Sequence, residues 1–145
     1  MKFVIPFSIF ILFASSGLAV ELDTIFINRG TYTTIDSNQW TFLAFNSSPA
    51  FSSQNTVIKL LESDSLQLTV VNNDSVAHGF EVKGKGGVSS IAPGDTAYTS
   101  YSFSDENVFV YHDPLSSSNS RGLGLGGMIH VAKANRTAFY WNIKE

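Results

Sequence analysis

The chain has 145 residues, with 9 basic and 12 acidic side chains, a net charge of −3 and no cysteine. The missing thiols exclude a disulfide framework, a Cys-ligated zinc or iron–sulfur site and a cysteine nucleophile. A net-acidic chain without a basic run argues against nucleic acid as a partner. A hydrophobic content of 43% with 12 Phe argues against disorder.

The first segment reads as a secretory signal. Lys2 supplies a positive start, Phe3–Ala14 is apolar apart from Pro6 and Ser8, and Gly17-Leu18-Ala19 offers small residues for cleavage. The apolar run is shorter than the ~20 residues of a membrane span. The expectation is therefore a secreted or periplasmic protein, free of the membrane once residues 1–19 are removed. The remaining 126 residues, at net charge −4, suit one domain with one core. Within it, residues 20–55 read as N-terminal strands and a loop, 56–133 as the core and 134–145 as an extra strand or linker.

Alternation of Thr, Val, Ile, Phe and Tyr with polar residues predicts strands throughout and no long helix. In chain order these are Thr24–Asn28, Trp40–Phe45, Thr56–Leu60, Leu66–Asn72, His78–Lys83, Thr96–Phe103, Val108–His112, Gly127–Lys133 and Thr137–Ile143. Leu66, Leu68 and Val70 alternate with Gln67 and Thr69, and Ala97, Thr99, Tyr101 and Phe103 share a face. Turns are predicted at Asn72–Ser75, Gly84–Gly87, Ala92–Asp95 and Ser104–Asn107, and Asp113–Gly126 is the longest loop after residue 60. Many short strands at this spacing predict an all-β antiparallel Greek-key sandwich or barrel.

Most short motifs carry little. Gly122–Gly127 fits G-x-G-x-x-G, but it lies between a Ser-rich loop and a strand, whereas a dinucleotide site needs a strand before it and a helix after it. Three Asn-x-Ser/Thr triplets begin at Asn46, Asn73 and Asn135, no more than an Asn- and Ser-rich chain supplies by chance. No Gly-x-Ser-x-Gly elbow is present, and the carboxylates form no obvious acid–base pair. The three histidines are more informative. His130 alternates with Ile129 and Val131, the setting of a structural residue. His78 and His112 begin and end strands, where an imidazole faces loops, and His112 adjoins Asp113-Pro114.

The order of these pieces resembles a known family. A strand ending in Asn72-Asn73 leads to His78-Gly79-Phe80-Glu81-Val82, then Ile91-Ala92-Pro93-Gly94-Asp95 and an aromatic-rich strand. Val108-Phe109-Val110-Tyr111-His112-Asp113-Pro114 follows, with a Gly-rich return into Gly127-Met128-Ile129-His130-Val131. Over Thr56–Lys133 this is similar to the cupredoxin fold, above all the first, plastocyanin-like domain of multicopper oxidases and copper nitrite reductases. The resemblance places His78 at the early type-1 copper His and Asp113 where the copper Cys follows Tyr-His. Leu125, rather than Met128, fits the spacing of the axial Met, and Leu115–Arg121 holds no second His. A blue site depends on a copper–thiolate bond, so the resemblance implies a sandwich without blue copper. The family's other copper sites use paired histidines. Here His78 and His112 keep one of each pair, with Val76 and Pro114 at the missing positions. In the nitrite reductase pattern, His112 instead matches the type-2 ligand.

The resemblance thus implies an exported cupredoxin-like domain without type-1 copper. Copper, or another metal held weakly, stands beside no metal at all as the cofactor expectation. His78, His112 and Asp113 are the candidate ligands, with His130 behind them, and no residue is assigned a catalytic role. The chain alone is not expected to be an enzyme. One alternative is a component of a copper-dependent oxidoreductase, giving His ligands to a site shared with a second cupredoxin domain, another chain or a further copy. The other is a purely structural or adhesive sandwich.

Overall fold

A computed structural model describes residues 19–116 and 125–133. The described residues form nine strands: β1 Val20–Thr33, β2 Gln39–Asn46, β3 Val57–Leu61, β4 Ser65–Asn72, β5 His78–Val82, β6 Gly86–Ile91, β7 Thr96–Ser102, β8 Asn107–His112 and β9 Gly126–Ala132. One sheet has the order β2-β1-β4-β7 and the other β3-β9-β8-β5-β6. Their inner faces pack as a sandwich. No helix among the described residues is long and apolar enough to cross a membrane.

The period-2 pattern explains the packing directly. Leu66, Leu68 and Val70 of β4 are buried with Ile25 and Ile27 of β1, and they meet Leu60, Phe80, Tyr111 and Ile129 of the second sheet. Phe80 stacks on Tyr111 at 4.9 Å between ring centroids, and Phe45 meets both rings edge-on at 5.5 and 5.3 Å. The Tyr111 hydroxyl donates to the Thr56 carbonyl, so the buried phenol has a partner.

Three features differ from the expectation. The sheets are mixed: β1–β4 and β3–β9 are parallel, and the other pairs are antiparallel. The chain passes from one sheet to the other between β2 and β3 and again between β3 and β4, so β1 and β4 meet without a hairpin. Second, β1 is far longer than Thr24–Asn28. It pairs with β4 over Val20–Ile27 and then with β2 over Phe26–Thr33, and only the middle of the strand is buried enough to show in the hydrophobic pattern. Third, β6 starts inside the predicted turn Gly84–Gly87 and runs on to Ile91 through residues that carry no predicted element. Gly87 lies so close to β5 that a Cβ would stand 2.1 Å from the Phe80 carbonyl oxygen, so the glycine that disguises the strand is what lets it pair.

Gly126 and Gly127 open β9, in keeping with a strand after the Gly-rich run, and a Cβ on Gly127 would strike the Tyr111 ring at 2.3 Å. Asn46 is buried and its amide donates to the Ser52 and Gln54 carbonyls, so the first Asn-x-Ser triplet is folded inward. The expected signal over residues 1–18, the Ser-rich stretch 117–124 and the strand expected at Thr137–Ile143 lie outside the described residues.

Candidate functional site

The polar focus of the molecule sits at one end of the sandwich, where the loop between β4 and β5 meets the residue after β8. Asn72, fully buried, organises that loop. Its side-chain oxygen accepts from the Asp74 amide at 2.9 Å, and its NH2 donates to the carbonyls of Val76 at 2.8 Å and Ile91 at 2.9 Å. The Asn73 amide nitrogen donates to the Ile27 carbonyl, and its side chain donates to Asn28, so the loop is tied to β1. Asp74 therefore stands under Arg29 of β1, which grips it with two bonds, Nε to Oδ1 and Nη2 to Oδ2, both 2.7 Å.

His78 lies four residues further on, at the start of β5. Its Nε2 is 2.7 Å from Asp74 Oδ2 and its Nδ1 is 2.8 Å from Asp113 Oδ2. Asp113 also accepts from the Gly79 amide at 2.7 Å, the Leu115 amide at 2.9 Å and the Ser116 hydroxyl at 2.8 Å. Gly79 is required here, since a Cβ would lie 2.7 Å from the Pro114 ring and 2.8 Å from the Ser89 carbonyl oxygen. The side chains of Asp74, His78 and Asp113 are 2%, 5% and 1% exposed, whereas Arg29 reaches solvent at 42%.

The four groups alternate in sign: Arg29, Asp74, His78, Asp113. A neutral imidazole donates from one nitrogen only, but both nitrogens of His78 face carboxylate oxygens. The geometry calls for the imidazolium, which gives each carboxylate a donor and the buried chain no net charge. Burial alone would lower the His78 pKa, but the bonds to Asp113 and Asp74 outweigh it and leave the pKa raised. The Arg29 guanidinium, opposed by burial and helped by His78, holds the Asp74 carboxyl well below the usual carboxylate range. Burial pushes the Asp113 carboxyl up, but the bonds from His78, Leu115, Ser116 and Gly79 bring it below the ordinary value. Every buried side-chain nitrogen and oxygen among the described residues has a partner.

His78 and Asp113 are brought together, as are Asp113 and Leu125, whose buried residue offers its carbonyl to the Asp113 amide at 3.5 Å. His112 and His130 are elsewhere. In β8 the buried Tyr111 faces inward, so His112 faces outward, opposite Glu81 of β5. His130 is exposed on the same outer face, between Lys59 and Val108. Among the described residues, no three or more His, Asp or Glu side chains form a group that could hold a metal ion.

Sequence reasoning missed Arg29 and Asp74. A lone Arg beside the apolar run of β1, and an Asp four residues before a candidate His, were the available signals. A polar cleft of about 310 Å³ lies at the end of β2, lined by Asn46, Ser48, Gln54, Asn55 and Thr56 among others, without an ionisable side chain.

The sandwich is a cupredoxin-like fold. Its structural neighbours are cupredoxin domains of copper nitrite reductases and multicopper oxidases. Copper nitrite reductase from Nitrosomonas europaea superposes with a TM-score of 0.68 at 19% identity, over 82% of this chain and 44% of that one. A multicopper oxidase from Campylobacter jejuni gives 0.68 at 17% identity, over 79% and 26%. Blue copper oxidase from Nitrosomonas europaea gives 0.67 at 19% identity, over 80% and 40%. The chain thus spans less than half the length of these neighbours. No family model matches the sequence, and no curated protein matches it.

The residues at the site do not fit a type-1 copper ion. No cysteine exists to supply the thiolate. Both ring nitrogens of His78 face carboxylate oxygens, whereas a histidine ligand needs a deprotonated nitrogen turned to the metal.

Proposed function

We propose that this chain is an exported cupredoxin-like interaction module in which a proton-bearing ion-pair chain replaces the copper ion as the clasp of the sandwich's end. The observation that carries the reading is His78 held between Asp74 and Asp113 at 2.7 and 2.8 Å. The family resemblance puts the early copper His and the copper Cys at the His78 and Asp113 positions. A metal ion binding either ring nitrogen must displace its proton and the carboxylate bonded to it, so Cu(II) binding at this point is weak. Electron transfer through a copper–thiolate bond is not available to such a domain. Export rests on the order of charge, apolar run and small residues over 1–19.

Titration of the protein with Cu(II), followed by electron paramagnetic resonance, tests this. The expected result is no tight site, with any weak signal unaltered by His78→Gln. One tightly bound copper per chain, lost in His78→Gln or Asp113→Asn, overturns the reading.

A second reading makes the chain a component of a larger copper enzyme, supported by its coverage of under half of each neighbour and by the outward, half-buried His112. His112 would then serve at a boundary with another domain or chain. A strictly monomeric protein in light scattering, unchanged by His112→Ala, contradicts it.

A further inference from the structure

The sheet order leaves four edge strands, β2 and β7 on the first sheet and β3 and β6 on the second. An open edge invites pairing with another chain, and proteins guard it with charge, proline or cover. β3 carries exposed Lys59. β6 and β7 lie against each other, with Lys85 Nζ on the Ser102 carbonyl at the end of β7. Among the described residues β2 has no such guard over Gln39–Leu43. That stretch holds no charged residue and no proline, and between Tyr32 and Asn46 the one charged side chain is Asp36, in the turn.

The backbone shows which groups are open. The Phe45 amide donates to Asn55 Oδ1 and its carbonyl accepts from the Thr56 amide, both at 2.8 Å, so the polar groups of Phe45 face away from β1. Alternate residues of an antiparallel strand turn these groups to the same side, so those of Leu43, Thr41 and Gln39 also face outward. Among the described residues nothing bonds to them. β1 leaves β4 after Ile27, and from Asn28↔Ala44 to Thr33↔Gln39 it pairs with β2 alone. A two-stranded ribbon is marginally stable by itself, whereas three or more strands with an apolar face hold together. The ribbon has such a face on one side. Tyr32 lies in register with Trp40, 51% and 56% exposed, and meets Phe42 edge-on at 6.3 Å. Gly30 is in register with Phe42, and a Cβ there would strike the Phe51 ring.

We infer that β2 is a dimerisation edge, pairing antiparallel with β2 of a second copy about a two-fold axis at Thr41. The register follows from the open groups. Centred on Thr41, residues Gln39, Thr41 and Leu43 oppose the partner's Leu43, the partner's Thr41 and the partner's Gln39, so every open residue is hydrogen-bonded. Moving the centre one residue toward Asn46 sets Gln39 against the partner's Phe45, a position whose groups Asn55 and Thr56 already hold. Moving it toward the tip brings in Ser37, in the turn. With the axis at Thr41, Trp40 stands beside the partner's Phe42. Two rows of three aromatic rings, each made of Tyr32, Trp40 and the partner's Phe42, then cross a four-stranded sheet. At the axis of such an isologous contact a residue meets its own copy. Thr41 is neutral, and the two Asp36 turns lie at opposite ends, so no like charges meet. This self-complementarity selects a second copy over a different chain. With five residues a side, against roughly 20–30 in a standard interface, the dimer is reversible. The contact lies on the other sheet from His112 and does not rest on the His78 ion pairs.

Sedimentation velocity over a concentration series tests this. The mass is expected to rise from one chain to two and to stop there, since β2 offers one open edge. Thr41→Pro keeps the ladder to β1, because the Thr41 amide faces outward, and removes the donor at the axis. It is expected to raise the dissociation constant at least about tenfold, with unchanged far-ultraviolet circular dichroism. Should the proline disturb the strand, Thr41→Lys sets two like charges together and is expected to weaken the dimer likewise. The chain has no cysteine, so the register can be read directly. Opposed residues of a hydrogen-bonded pair have Cα atoms ~5.5 Å apart, within disulfide reach. Thr41→Cys is therefore expected to give a disulfide-linked dimer on mild oxidation. Gln39→Cys, with its two copies four residues or ~13 Å apart along the strands, is expected to link several-fold more slowly. A single-chain mass at ~1 mM, a dimer untouched by both Thr41→Pro and Thr41→Lys, growth past two chains, or linkage through Gln39→Cys as fast as through Thr41→Cys each overturns the inference.

Discussion

Replacing Asp113 by Ala removes more than a charge. The carboxylate accepts from His78 Nδ1, the Gly79 and Leu115 amides and the Ser116 hydroxyl, all within 2.9 Å, and it is 1% exposed. Losing one partner of a buried ion pair costs about 3–5 kcal/mol. A buried amide left without an acceptor adds about 1–3 kcal/mol. These costs overlap, because His78 can shed its proton and keep its bond to Asp74, so the expected loss at pH 6 is about 3–5 kcal/mol in all. That is a large part of the ~5–15 kcal/mol of a typical domain but leaves it folded. It lowers the melting temperature by roughly 10 °C or more. Urea unfolding at pH 6, with linear extrapolation, reads the difference. Asp113→Asn keeps an acceptor for Gly79 and is expected to cost clearly less. Combined with His78→Gln, it should give a coupling energy of at least about 1 kcal/mol. A loss below about 1 kcal/mol for Asp113→Ala, or no coupling to His78, refutes the ion-pair chain as a clasp.

Other consequences are equally direct. The His78 pKa is raised in the folded state, so its contribution is complete below the unfolded value of about 6.5 and is lost as pH rises through the folded value. Asp74 and Asp113 are lowered, so theirs is complete above about 4 and is lost as pH falls through their folded values. Melting temperature is therefore expected to be highest between about pH 4 and 6.5, with an alkaline decline that flattens in His78→Gln; an identical decline in that variant contradicts the assignment. Gly79→Ala drives a methyl group against the Pro114 ring and the Ser89 carbonyl, and thermal unfolding should show it less stable by at least about 2 kcal/mol. Asn72→Ala strands the buried carbonyls of Val76 and Ile91 and frees the loop that presents Asp74. Urea unfolding should report a loss of about 1–3 kcal/mol.

The all-β sandwich was legible because alternation survives wherever one face of a strand is buried. Leu66, Leu68 and Val70 announce β4 in the sequence and line the core in the structure. Where other constraints govern a residue, the pattern is silent. Gly86 and Gly87 read as a turn, although Gly87 is there because β6 passes too close to Phe80 for any Cβ. The ends of β1 are exposed on both faces and carry no period, although two different partners extend the strand. At the site, motif order was enough to pair His78 with the residue after Tyr-His, and the absence of cysteine was enough to set aside blue copper. The role of Asp113 was not legible. A carboxylate beside a histidine reads as a metal donor until the second carboxylate, Asp74, appears on the far nitrogen. That second contact depends on an Asn72 turn and on Arg29, 45 residues away in sequence, and neither has a local signature. In the sequence His112 looked equivalent to His78, and His130 stood behind both. Strand parity separates them, turning His112 and His130 to the outer face.

The most direct test is the protonation of the His78 ring. In long-range 1H–15N spectra recorded across pH, His78 is expected to keep both ring protons to a higher pH than the ordinary midpoint of about 6.5, with shifts unmoved by one equivalent of Zn(II). A midpoint at or below the ordinary value, or a His78 nitrogen that moves on adding the metal, would contradict the ion-pair clasp.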